Sequence, residues 1–215
     1  MIERSIFFNA EMVRAILEGR KTQTRRIIDE KFRGLDNENW KESTDLLIKR
    51  CPFGQPGDRL WVRETWADVN ASGIPAIAYR ADKDVLLLTE DESFRDENGE
   101  VNYNDPRIKT YPFAQWYSDL VDGTEGRWRP SIHMPRWASR ISLEITNIRV
   151  ERLHSISEAD AKAEGVFPVA YAITPPEAAC RVGFGDIWRS IYGEESWTAN
   201  PWVWVIEFTA KIRRK

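Results

Sequence analysis

The sequence predicts a mixed α+β fold, a barrel-like sheet of short antiparallel strands with flanking helices, and three observations carry that prediction. Helical and alternating stretches succeed one another as helix, strands, a loop-rich excursion, a long strand, two helices and a closing strand. The closing stretch PWVWVIEFTAKI is apolar on both faces, as a strand covered on both sides must be. At 215 residues the chain is long enough to bury a real core, and one domain with an insertion is expected.

The elements follow in order. Asn9 can cap a helix whose apolar positions Met12, Val13, Ile16 and Leu17 recur at helical spacing, and Gly19 supplies the left-handed residue that stops it. Lys21 then sits in the turn out of the helix. TQTRRII reads as a strand, in which strict alternation would put Lys21 and Thr24 on opposite faces; for both to address one pocket, Lys21 must lie outside the regular strand. PFGQPGD is turn chemistry. RLWVRETW alternates after it, with Leu60, Val62 and Trp66 on one face and Trp61, Arg63 and Thr65 on the other. Glu64 falls on the apolar face, so its carboxylate is either at a cavity rim or paired.

From about 67 to 130 the texture changes to turn signals and an acidic stretch, TEDESFRDENGE, expected to be an insertion of short strands and loops with a solvated acidic surface. RISLEITNIRVERL alternates through Ile141, Leu143 and Ile145 and then slips phase to Ile148 and Val150, which a bulge near Thr146 and Asn147 would explain. Ser155 and Glu158 have capping-box spacing for a short helix that ends with Glu164 before Gly165. After a Pro-containing loop, FGDIWRSIYG reads as a second amphipathic helix.

Composition narrows the function. The 31 basic and 34 acidic residues leave a formal charge of −3, so the chain is not built to coat a polyanion non-specifically and any nucleic-acid contact must be local. Two cysteines, Cys51 and Cys180, and two histidines, His133 and His154, lack metal-ligand spacing, so no metal and no cofactor is expected. Cys51 reads as a small buried residue rather than a nucleophile. No apolar run has the length of a membrane span, and a cytoplasmic, thiol-reduced protein is expected. The 10 Trp and 9 Phe fill a core or line a pocket for flat ligands. Trp61, Trp66, Trp128 and Trp137 interleave with Arg59, Arg63, Arg127, Arg129 and Arg136, a combination able to stack a base and meet a phosphate.

Helix, then GRKTQTR, then PGDRLWVRE, then a helix ending in AEG, then a WVIEF strand resembles the ASCH family, whose barrel is related to PUA domains. The family motif G-x-K-x-x-x-x-R is met by Gly19, Lys21 and Arg26. The GRKT-x-T-x-R form is similar to ASCH enzymes that hydrolyse the acetyl amide of N(4)-acetylcytidine through a lysine, a threonine and a glutamate. Carried over, these are Lys21, Thr24 and Glu164. The match covers roughly 1–66 and 130–213, and CPFGQPGDRLWVRETW with MPRWASRI resembles the larger ASCH proteins of bacteriophages and prophages. The resemblance implies a PUA-like β-barrel and a bacterial host cell. It also implies a pocket for RNA or a modified nucleoside, with Gly19, Arg20, Arg26, Arg63, Glu64 and Trp66 binding beside the Lys21, Thr24 and Glu164 trio. Hydrolysis of an acylated nucleoside is the alternative, and a phage protein-interaction module the third class.

The trio suits such chemistry. A lysine amine is a base only when neutral, which at neutral pH requires its pKa to fall by about three units; desolvation and the adjacent Arg20, Arg25 and Arg26 push that way. A neutral Lys21 could take the proton of Thr24 while Glu164 protonates the leaving amine. Charged strand edges are also ordinary solvated surface. Glu64 is the rival acid, with a salt bridge to an arginine as its other reading. The oligomeric state is left open.

Overall fold

The structure, a computed structural model, describes residues 1–29, 40–168 and 175–213, with the side chains of 40–43 outside the description. Part of the Pro-containing loop, 169–174, lies outside it. The elements are β1 (Glu3–Phe7), α1 (Ala10–Leu17), β2 (Gln23–Ile27), α2 (Trp40–Lys49), β3 (Arg59–Arg63), β4 (Trp66–Ala71), β5 (Ile74–Tyr79), β6 (Val85–Leu87), α3 (Pro106–Lys109), α4 (Tyr117–Asp122), β7 (Ile141–Arg152), α5 (Glu158–Ala163), α6 (Ala179–Tyr192), α7 (Glu194–Thr198) and β8 (Trp202–Ile212). Contacts divide the chain into two compact units. One holds Met1–Ile6, Ala15–Trp61 and Ile141–Ile212; the other holds Phe7–Arg14, Val62–Arg140 and Arg213–Lys215.

The first unit is built on a five-stranded sheet in the order β1-β3-β7-β8-β2. Its long strands β7 and β8 pair antiparallel, and their register shifts between Ile145 and Asn147. This is the expected bulge: it turns Ile148 and Val150 inward after Ile141, Leu143 and Ile145. β1 and β2 stand at the two edges, so the sheet as paired is open and not a closed barrel. Three of the five strands, β1, β2 and β3, are only five residues long.

Helices α5 and α6 bury Ala161, Cys180, Phe184 and Trp188 with Val203 and Val205 of β8. The capping box of α5 is Ser157 with Asp160, not Ser155 with Glu158. Both pairs have the required spacing, but residues 153–155 form a separate 3₁₀ turn. Glu158 is used elsewhere: its carboxylate accepts the N–H groups of Cys180 (2.6 Å) and Arg181 (3.0 Å), satisfying the open amino end of α6. Helix α2 and strand β1 had no counterpart in the sequence reading.

The second unit carries the antiparallel sheet β4-β5-β6. Trp66, Ile77, Tyr79, Leu86, Phe94, Phe113 and Met134 form its main core. The whole of the excursion expected at 67–130 falls within it, as short strands, short helices and loops.

Candidate functional site

The Lys21 turn is made by the end of α1. Asn9 Oδ1 accepts the Met12 N–H at 2.9 Å at the start of that helix. At the other end, the Ala15 carbonyl accepts the N–H groups of both Arg20 (2.8 Å) and Lys21 (3.0 Å), and Gly19 takes φ +73°. Lys21 is thereby delivered outside β2, just before Thr22, and its side chain turns to Glu164, the carboxylate that Arg25 also holds, not to Thr24. It forms an isolated antiparallel bridge with Glu164, the residue after α5. The Thr22 N–H donates to the Ala163 carbonyl at 2.8 Å, and the Thr22 carbonyl accepts from Phe208 of β8 at 2.9 Å.

Gly165 makes the approach possible. It sits at φ +85°, and a Cβ there would lie 2.7 Å from Ala15 Cβ and 3.0 Å from Lys21 Cβ. Any side chain would push the turn away from the end of α5.

The side chains meet in the interior. Lys21 is 2% exposed and Glu164 8%. Lys21 Nζ donates to Glu164 Oε2 at 2.7 Å and to the Glu164 carbonyl at 3.0 Å. Burial lowers the Lys21 pKa against the pull of Glu164, and the charges of Arg26 and Arg25 lower it further. The other Glu164 oxygen, Oε1, accepts from Arg25 Nη1 at 3.0 Å. Arg25 Nη2 reaches Glu151 Oε2 at 3.3 Å and pairs with Asp160 Oδ2 at 3.7 Å. Arg149 ties the outer acids together by pairing with Glu151, Asp160 and Glu207.

Alternation along β2 sends Gln23 and Arg25 toward α5 and Thr24 and Arg26 to the opposite face. Gln23 Nε2 donates to the Asp160 carbonyl at 2.9 Å. Thr24 is 1% exposed, and its Oγ1 accepts from Arg26 Nη1 at 2.7 Å. Burial lowers the Arg26 pKa while the Tyr192 and Glu164 charges raise it. Arg26 therefore feels both Thr24, by contact, and Glu164, by charge.

Gly19 and Arg20 line a cavity of about 690 Å³ together with Lys162, Val166, Phe167 and Cys180. Its walls come from the residues flanking Lys21 on one side and Glu164 on the other. Arg20 lies 4.0 Å over the Phe167 ring and donates to the Gly165 carbonyl at 2.5 Å. Phe167 is 64% exposed, an unusual setting for a phenyl ring and a ready surface for a flat ligand.

Lys21, Thr24, Glu164, Gly19, Arg20 and Arg26 thus belong to the first unit. Arg63, Glu64 and Trp66 belong to the second, where their surroundings already engage them. Both Glu64 oxygens accept from Arg140 at 2.9 Å. Arg63 donates to the Met134 carbonyl and lies over Phe7. Trp66 is fully buried and packs edge-on against Tyr111, so its ring is core. In a chain this rich in tryptophan, proximity to arginines in sequence did not distinguish a packed ring from a ligand-facing one. Cys51 is buried beside its turn, which pushes its thiol pKa up.

Arg25 is the residue of the cluster whose role the sequence reading missed. A basic side chain on the same strand face as Gln23, with a carboxylate-rich helix to follow, was its only signal. Among the described residues no group of His, Cys, Asp and Glu could hold a metal ion, and no helix is long and apolar enough to cross a membrane. Compared with protein-family models, curated proteins and solved structures, the chain has no match.

Proposed function

We propose that the chain binds a nucleoside, free or within RNA, at the cluster of Lys21, Thr24, Arg26 and Glu164, with the cavity beside Gly19 and Arg20 taking the base or its substituent. One observation carries this reading: Gly19 and Arg20, which immediately precede the buried Lys21 of the Lys21–Glu164 pair, line a cavity large enough for a nucleoside. Amine and carboxylate read the donor and acceptor edge of a base, and the exposed Phe167 ring backed by Arg20 offers stacking. A PUA-like ancestry belongs to the same proposal. Its support is the GRKTQTR turn after the first helix and the placement of AEG beside that turn.

The lowered pKa of Lys21 favours a second reading, hydrolysis of an acylated nucleoside such as N(4)-acetylcytidine. That reading requires Thr24, whose hydroxyl Arg26 holds, to come within reach of a neutral Lys21, which removes the hydroxyl proton so that the oxygen attacks the acyl carbon to give an acyl-threonine. The proton passes from Lys21 to the departing exocyclic amine, and water then cleaves the ester to release acetate. Glu164, which accepts from both Lys21 and Arg25, orients the Lys21 amine.

The test is a titration of cytidine, N(4)-acetylcytidine, single-stranded RNA and duplex DNA against the wild type and Lys21→Ala, with cytidine release followed in parallel. Binding of a nucleoside or RNA that falls at least tenfold in Lys21→Ala is expected. No binding to any of the four overturns the nucleoside reading and leaves a protein-interaction role. If hydrolysis occurs, Lys21→Arg should be as inactive as Lys21→Ala, because a guanidinium cannot serve as base; an active Lys21→Arg enzyme removes the hydrolytic reading alone.

A further inference from the structure

Arg25 is the least exposed charged side chain of the cluster, with a side-chain exposure of 0%. Its guanidinium lies between three carboxylates, those of Glu164, Glu151 and Asp160, and 5.8 Å from the Phe184 ring of α6. The division of Glu164 is specific. Oε1 goes to Arg25 at 3.0 Å and Oε2 to Lys21 at 2.7 Å. A carboxylate with both oxygens committed cannot rotate about its last torsion without breaking a charge-assisted bond.

We propose that Arg25 is the positioning residue of the Lys21 site: it clamps Glu164 Oε1 so that Oε2 stays on the lysine amine, and it supplies the permanent cation that balances Glu164 when the amine is uncharged. The inference rests on the functional reading of the Lys21 cluster given above. Burying Glu164 against a neutral lysine alone would leave an uncompensated negative charge, which is too costly to maintain. Arg25 removes that obstacle because a guanidinium keeps its proton throughout the accessible pH range.

The charged groups that act on Lys21 are Glu164 at the end of α5 and Arg25 and Arg26 of β2. Around them, Asp160 of α5 and Glu151 of β7 pair with Arg25, Arg149 of β7 joins these two acids to Glu207 of β8, and Tyr192 of α6 acts on Arg26. Glu151, Asp160 and Glu207 are partly solvent-reached and share Arg149. Glu164 is therefore the carboxylate whose charge bears most directly on the amine, and Arg25 is the cation that offsets it. The direction of the Lys21 shift, with Arg25 among its causes, agrees.

The experiment needs no ligand. Lysine side chains are labelled by reductive ¹³C-methylation and the Lys21 signal, assigned by its loss in Lys21→Met, is titrated by NMR in the wild type, Arg25→Met, Arg25→Gln and Arg25→Lys. The wild-type midpoint should lie below the ordinary 10.5. In Arg25→Met it should rise by about one pH unit or more, because Glu164 then acts on Lys21 without the Arg25 charge that offsets it. Arg25→Lys, which keeps the charge, should retain the lower midpoint. If Arg25→Met does not fold, Arg25→Gln, which keeps a hydrogen-bonding arm and loses the charge, answers in its place with the same rise. An unchanged midpoint in a folded Arg25→Met or Arg25→Gln overturns the proposal, as does a wild-type Lys21 that titrates at its ordinary value. A protein that binds no nucleoside still reports these midpoints, so the two readings fail separately.

Discussion

Two glutamates, Glu64 and Glu164, are buried beside arginines, and they differ in what else holds them. Glu64 is closed: Arg140 takes both its oxygens, the same guanidinium pairs with Asp82, and it stacks at 4.0 Å on the Tyr79 ring. No member of that set can change its charge near neutral pH without leaving a partner stranded. Burial raises the Glu64 pKa against the opposing pull of Arg140. Glu164 is shared between a guanidinium and an amine. The amine can lose its proton while the guanidinium keeps the carboxylate compensated. A buried ion pair by itself is weak evidence of function; a buried carboxylate with one permanent and one removable cation is better evidence.

The contrast breaks most easily at Arg140. Arg140→Met strands Glu64 and Asp82 and should cost about 3–5 kcal/mol of stability in urea unfolding. Lys21→Met leaves Glu164 with Arg25 and should cost clearly less; equal losses would mean that the two sites are the same kind of structure. Next in size is Gly165→Ala. Positive φ costs about 1–2 kcal/mol for a side chain, and the 2.7 Å approach to Ala15 adds overpacking. A fall of about 2–4 kcal/mol is expected, together with weakened ligand binding because the Lys21 turn must move.

The smallest effect is in pH, and its sign differs between the sites. Between 4.5 and the raised folded value, Glu64 holds a proton in the folded state that the unfolded chain has lost, so its contribution falls as pH rises through that window. Lys21 is the reverse. From its lowered folded value up to 10.5 the unfolded chain holds the extra proton, so stability rises with pH there. Urea midpoints measured from pH 5 to 10 should lose the first slope in Glu64→Gln and the second in Lys21→Met.

What the sequence revealed was set by range. The α1 periodicity with its Asn9 cap, the alternation that buries Leu60, Val62, Glu64 and Trp66, and the phase slip of β7 are local, and each is present. The alternation also required Glu64 to be paired or at a rim, but Arg140 lies 76 residues away and no local pattern names it. Likewise Lys21 and Glu164 came from a resemblance, whereas the clamp by Arg25 spans 139 residues and depends on where α5 ends. The α5 cap was displaced by two residues because two overlapping Ser-x-x-acid matches compete, and the 3₁₀ turn before the helix decides between them. The α+β class was legible, but which strands would stand at the edges of the sheet, β1 and β2, was not, since alternation marks strands and not their neighbours.

The 143 residues separating Lys21 from Glu164, and the pairing of β2 with β8, have a consequence during synthesis. A ribosome adding about 5–20 residues per second leaves Lys21 without its partner for on the order of ten seconds. In that interval it is an ordinary hydrated amine on a nascent chain. Its buried setting comes into being only when β8 has been translated and paired with β2, so a truncated product carries the motif in full without the buried pair.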